Sequence, residues 1–197
     1  VMNILVIKSS VFGDNGNSSS LVNSQLAALQ AQHPDATVVV RDLSTDPIPH
    51  LDGERVGAFF TPADQRSDDQ QAVDAFSMAL IDELKTADHI VLGLPMYNFG
   101  IPSQLKSWID HVARAGITFR YTENGPQGLL DDKPVTVLAA RGGLYAGTEN
   151  DTVTPYIKLF FGFIGMTDVN FVYAEGLNMG DETKEKAMSE AQAALAG

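Results

Sequence analysis

His89 to Leu94 is a short apolar run rich in β-branched residues. That is the pattern of a strand buried on both faces. Beyond it, Leu105, Trp108, Ile109, Val112 and Ala113 recur at the spacing of one helix face. Pro102 suits the first helical turn, where a missing N–H costs nothing. Gly116 suits a stop just past the last periodic residue. A buried strand feeding a helix in this way belongs to a parallel sheet, and the loop between them lies at the strand's carboxyl end. In open parallel sheets, ligands bind there. The loop carries Met96, Tyr97, Asn98 and Phe99 in succession, an amphipathic mixture suited to a flat, partly polar ring. The plainer reading is a set of aromatics plugging the end of the core.

The same alternation runs through the rest of the chain. Met2 to Ile7 reads as a first strand, followed by a helix capped by Ser18 or Ser19, with Val22, Leu26 and Leu29 on one face and Pro34 as its end. Thr37 to Val40 is a second strand, which makes a βαβ unit. From Asp42 to Arg66 the pattern breaks down; Leu51 to Phe60 has room for a short helix, and so long a connection suggests a lid or contact role. Ser67 caps the next helix, with Asp68 and Asp69 at its positive end and Val73, Phe76, Leu80 and Leu84 as its buried stripe. After Gly116, Phe119 to Pro126 reads as a small excursion with a turn. Pro134 to Ala140 is a fourth strand, Thr152 to Phe163 a helix stopped by Gly165, Val169 to Ala174 a fifth strand and Glu182 to Ala196 a final helix. The expected architecture is an α/β three-layer sandwich, with five parallel strands in the order 2-1-3-4-5.

Length and composition set further bounds. A chain of 197 residues suits one domain spanning 1–197. The net charge of −12 argues against nucleic-acid partners and anionic membrane surfaces. With no cysteine there is no disulfide, thiolate metal site or thiol nucleophile. Met2 begins a strand pattern directly, so no signal peptide is expected, and a cytoplasmic location is. No apolar run reaches membrane-span length. His33, His50, His89 and His111 have no metal-ligand spacing, so no metal is expected. The carboxylates form no recognisable acid/base pair.

Three loops at carboxyl ends of strands would line one crevice in the proposed order. The first offers Ser10, Asn17 and Ser18 as side-chain donors and Gly13 and Gly16 for close backbone approach. The helix after it points free N–H groups and a positive dipole end at the crevice, which suits a phosphate. It matches neither a P-loop nor the Rossmann glycine pattern. The plainer reading is a polar turn. The third-strand loop supplies Met96 to Phe99. The fourth-strand loop, Ala140-Arg141-Gly142-Gly143, offers adjacent glycine amides that can form an anion-binding concavity. Its plainer reading is a glycine turn with Arg141 in solvent or paired with an acid.

The run Pro95-Met96-Tyr97-Asn98-Phe99, continued by Pro102-Ser103 and Leu105-Lys106, closely resembles the FMN-dependent NADH-azoreductase family of flavodoxin-like quinone reductases. The likeness extends over Lys8-Ser9-Ser10, Ile48-Pro49, Leu51 to Glu54, Ala113 to Gly116, Thr118 to Pro126, Arg141 to Gly143, Phe163 to Gly165 and Thr167 to Val169. By resemblance, FMN binds at Ser10, Gly16, Asn17, Ser18, Met96, Tyr97, Asn98, Phe99, Ala140, Arg141, Gly142 and Gly143. Gly16, Asn17 and Ala140 depart from the family's usual Ser, Gln and Ser. The resemblance implies one FMN per subunit and NADH as donor. It also implies a ping-pong two-electron transfer to quinones and aromatic azo compounds, with a role in detoxifying electrophilic quinones. The chemistry is the cofactor's, so no catalytic side chain is expected. A homodimer is implied, with Phe60, Phe119 and Tyr121 as candidates for a substrate wall. A phospho-receiver domain would need acidic residues where Lys8-Ser9-Ser10 and Leu94-Pro95 stand. An electron-carrier flavodoxin is the closer rival, distinguished by a stable one-electron state on reduction.

Overall fold

Ile4 and Val6 point to one face of the first strand and Leu5 and Ile7 to the other, and all four are at most 2% exposed. Such a strand reads as an unbroken apolar run because helices cover both faces. The computed structural model describes residues 1–196. β1 (Asn3–Lys8), α1 (Asn17–Gln32) and β2 (Thr37–Asp42) form the first crossover. α2 (Gly53–Phe60) and α3 (Asp68–Thr86) lead to β3 (His89–Pro95) and α4 (Ser103–Val112). β4 (Phe119–Thr122) and β5 (Gly125–Gly128) follow, then β6 (Val135–Ala140), α5 (Val153–Ile164), β7 (Val169–Ala174) and α6 (Asp181–Leu195).

β2-β1-β3-β6-β7 is the order of the five-stranded sheet, parallel throughout. The described residues thus hold seven strands: the five expected in the parallel sheet and two more outside it. The excursion at Phe119 to Pro126 is an antiparallel hairpin, β4 with β5, outside the main sheet. Counting the parallel strands alone, the order is 2-1-3-4-5. Leu5, Ile7, Leu92 and Val137 pack one face of the sheet together with Leu80, Trp108, Ile157 and Phe161. Ile4, Val6, Val91 and Leu138 pack the other, with Leu21, Val22 and Leu195.

Local signals explain most boundaries. Ser67 accepts from the Gln70 N–H while the Gln70 side chain accepts from the Ser67 N–H, a capping box that starts α3. Asp52 caps α2 by accepting from the Arg55 N–H. Lys133 donates to the Leu84 and Ala87 carbonyls, each at 2.6 Å, at the negative end of α3. Burial there lowers its pKa, against the pull of Asp131 and Asp88.

Three expected helix ends are corrected. Neither Ser18 nor Ser19 caps α1: Gly16 is the cap residue, without a side-chain bond. The Ser19 hydroxyl is engaged with the Gly13 carbonyl at 2.6 Å instead. Pro102 is the cap residue of α4 rather than part of its first turn. α4 closes at Val112, short of Gly116, because the chain turns at Ala113 to let the Thr118 hydroxyl donate to the Val112 carbonyl.

Candidate functional site

The carboxyl ends of β1, β3 and β6 stand side by side, so the loops that leave them meet. They enclose an inner cavity of about 190 Å³. Ser10, Gly16, Asn17 and Ser18 line it from the first loop and the start of α1, Met96 and Tyr97 from the second, and Ala140, Arg141 and Gly142 from the third. An outer cavity of about 420 Å³ adjoins it, lined by Met96, Asn98, Phe99, Gly142 and Gly143. Met96, Gly142 and Asn178 border both. The twelve residues singled out by the sequence as cofactor ligands are thus brought together around one depression.

At its inner end the depression offers neutral donors. No side chain caps α1, so the N–H groups of its first turn are left for another acceptor. Ser18 is 1% exposed, and its Oγ is buried with no hydrogen-bond partner among the described residues. A buried hydroxyl without a partner is costly and calls for a water, an ion or a ligand to satisfy it. The ammonium of Lys8 is engaged with Asp14 at 2.6 Å. An anion here would be held by hydroxyl, amide and helix dipole rather than by a free cation. Tyr97 closes this end: its hydroxyl accepts from the Val11 N–H and lies 3.5 Å from Ser10 Oγ.

The middle loop is a tight hairpin turn. Tyr97 and Gly100 exchange two backbone hydrogen bonds, of 3.0 and 2.9 Å. Asn98 and Phe99, between them, have φ of 51° and 62°. Positive φ at both central positions is the geometry of a type I′ turn. For phenylalanine it is strained, and such strain persists only where the surroundings hold it. The Thr152 hydroxyl donates to the Phe99 carbonyl, and the Phe99 ring meets Tyr145 edge-on at 5.4 Å.

The third loop departs from β6. The Gly142 and Gly143 carbonyls accept from Asn178 and Gly176, while their own N–H groups have no partner among the described residues. A Cβ on Gly142 would collide with the Asn178 amide, and one on Gly143 would lie 2.7 Å from the Tyr145 ring. The loop is therefore a cradle of free amides that side chains would fill. The guanidinium of Arg141, by contrast, is turned into the protein: the residue is 1% exposed, with Nη1 2.8 Å from Asp151.

Several residues that the sequence does not single out as ligands also line the depression: Phe12, Pro95, Tyr145, Leu177 and Asn178. Leu177 and Asn178 lie in a fourth carboxyl-end loop, after β7. The rule that selects the other three loops applies to it equally. Of the wall candidates, Phe60 and Tyr121 are 77% and 72% exposed, and neither borders either cavity. Phe119 is buried, its ring tilted by 34° against Phe163 with centroids 4.2 Å apart, so it packs within its own chain.

A family model described as a flavodoxin-like fold matches residues 2–197. A protein of Alcanivorax borkumensis named FMN-dependent NADH:quinone oxidoreductase is 82% identical over 98% of both chains. One of Burkholderia lata, FMN-dependent NADH:quinone oxidoreductase 6, is 56% identical, again over 98% of both. Among solved structures, an azoreductase of Bacillus anthracis superposes with a TM-score of 0.90 at 28% identity, covering 100% of this chain and 97% of its own. An FMN-dependent NADH-azoreductase of the same organism, solved in complex with FMN, gives 0.88 at 27% identity, covering 100% and 98%.

Proposed function

The chain belongs to the flavodoxin-like family of FMN-dependent NADH:quinone oxidoreductases, and from that premise we propose that its depression holds one FMN and serves a ping-pong reduction of quinones and azo compounds. The observation that carries this reading is the match between the depression and the cofactor. A buried, unpartnered Ser18 hydroxyl stands at a free helix end, and a glycine cradle with open amides lies across from it.

Ser10, Gly16, Asn17 and Ser18 would hold the phosphate through neutral donors and the α1 dipole. Met96, Tyr97, Asn98 and Phe99 would flank the ring system. Ala140, Gly142 and Gly143 would lie along its opposite edge, with Arg141 contributing backbone only, because its side chain is turned inward, and with the Gly142 and Gly143 amides as fixed donors for negative charge on the ring. When bound, FMN would accept a hydride from NADH and pass two electrons to the acceptor. The protein's part is to bind, orient and exclude water, so no side chain is assigned as acid or base. A cytoplasmic role in removing electrophilic quinones fits a two-electron reduction of this kind.

The purified protein is expected to be yellow, or to quench the fluorescence of added FMN. It should oxidise NADH with a quinone in a pattern of parallel double-reciprocal lines. A colourless preparation that leaves FMN fluorescence unchanged overturns the cofactor assignment. Intersecting lines overturn the ping-pong cycle.

We infer further that two copies of the chain share the site. Phe59 faces inward, under the Arg114 guanidinium at 4.0 Å, while Phe60 beside it is exposed. Tyr121 and Leu159 are likewise exposed. Exposed aromatic and aliphatic groups of this size favour a partner surface. Phe60→Asp is expected to harm quinone reduction more than FMN content. A demonstrably monomeric form with full activity at nanomolar concentration would contradict the shared site.

A further inference from the structure

Arg141 is among the largest fully buried side chains of the protein, and what surrounds its guanidinium is a set of anchors. Nη1 lies 2.8 Å from Asp151 and 3.5 Å from Glu175. These are ion-pair approaches; the aligned hydrogen bond is from Nη2 to Thr154 Oγ1, at 3.1 Å. The guanidinium carbon sits 5.0 Å from the centre of the Tyr173 ring.

Each carboxylate is used a second time. Glu175 accepts from the Tyr145 N–H at 2.8 Å and from the Ala146 N–H at 3.0 Å. Asp151 accepts from the N–H groups of Val153 and Thr154 at the start of α5. Thr152, between Asp151 and Val153, is the residue whose hydroxyl donates to the Phe99 carbonyl. One guanidinium thus stands behind both aromatic walls of the outer cavity, Tyr145 and Phe99.

We propose that Arg141 is a positioning residue for the acceptor: it fixes Tyr145 through Glu175 and Phe99 through the Asp151–Thr152 segment, and it makes no bond to the cofactor. This rests on the reading that the outer cavity receives the quinone. Two carboxylates brought together inside a protein repel each other and resist ionisation unless a cation lies between them. The fork of arginine sets Nη1 between both carboxylates while Nη2 holds Thr154, and the single ammonium of lysine on a flexible stem cannot fill both places at once. Phe99 has the greater need of such support, because its φ of 62° must be imposed by its surroundings.

The test compares the whole protein with Arg141→Lys and Glu175→Gln by three readouts. Amide hydrogen exchange is measured on the flavin-free protein, FMN affinity by fluorescence quenching, and KM and kcat with menadione as acceptor. For Arg141→Lys, exchange at Tyr145 and Ala146 is expected to rise by about tenfold, with the β3 amides unchanged. The menadione KM should rise about fivefold, while FMN affinity stays within about twofold. If Arg141→Lys does not fold, Glu175→Gln is nearly isosteric, weakens the Tyr145 arm alone by removing the charge that faces Arg141 and one acceptor oxygen, and must raise exchange at the same two amides. Unchanged exchange at Tyr145 and Ala146 overturns the proposal. So does a loss of FMN affinity with the menadione KM unaltered, which would make Arg141 a cofactor ligand. If the unaltered chain binds no FMN, the functional reading fails, and the exchange measurement still decides whether Arg141 holds the loop.

Discussion

Gly165→Ala should lower the unfolding free energy by about 2–5 kcal/mol, read from the urea midpoint of the flavin-free protein. Gly165 ends α5 with φ of 113°, a conformation in which an L side chain is strained. Its N–H bonds to the Gly162 carbonyl and the Met166 N–H reaches back to Phe161, the paired bonds of a Schellman motif. Strain is only the smaller part of the cost. A Cβ at Gly165 would run into the Leu130 carbonyl, and one at Gly128 would meet the Gly165 backbone. Backbone lies against backbone here, so no flexible side chain can give way. The Leu130 N–H bond to the Ile164 carbonyl, 3.0 Å, ties the two segments together and prevents retreat. Gly116→Ala is the control. Gly116 also has positive φ, 80°, but a Cβ there meets nothing within 4 Å. It should cost only about 1 kcal/mol. Similar losses for the two variants would show that close approach is not what demands glycine at Gly165.

That junction explains why the hairpin was hard to read. The three central parallel strands, β1, β3 and β6, are legible because each is buried on two sides and so carries an apolar run, as in Ile90 to Leu94. The edge strands β2 and β7 are more exposed and are marked by their β-branched and aromatic residues instead. Val169 to Ala174 emerges with the bounds that the pattern predicts. β4 and β5 are four residues each, and only Phe119 among Phe119 to Thr122 is buried. They show no alternation over a useful length, and β5 holds Gly125, Pro126 and Gly128. Their order comes from docking against the end of α5, a contact remote in sequence. The same holds within the site. The rule that ligands gather at carboxyl ends of strands brings together all twelve proposed ligands, but a residue type does not tell which way its side chain turns. Arg141 reads as a ligand beside two glycines, yet its partners Asp151 and Glu175 come from elsewhere in the chain and draw it inward. Serines at the start of α1 read as caps, and the tertiary structure assigns that place to Gly16.

Ser18→Ala is expected to move stability and FMN affinity in opposite directions. An ordinary capping serine stabilises its helix, and its loss costs about 1 kcal/mol. Ser18 Oγ makes no bond within the described chain, so alanine removes no interaction that the flavin-free protein uses. It removes instead a buried hydroxyl lacking a partner, whose burial costs roughly 1–3 kcal/mol. A water in the adjoining cavity would reduce that gain toward zero without reversing it. The flavin-free variant is therefore expected to be as stable as the parent or more stable by about 1 kcal/mol in urea. FMN binding should move the other way. A hydrogen bond to a charged phosphate is worth roughly 1.5–3 kcal/mol, so the dissociation constant should rise about tenfold or more. The free N–H groups of α1 and the Ser10 and Asn17 side chains remain, so binding should weaken without vanishing. Riboflavin, which lacks the phosphate, should bind the parent and the variant alike. A variant that is less stable without flavin, and loses riboflavin as much as FMN, would place Ser18 in the packing of α1 rather than in the phosphate site.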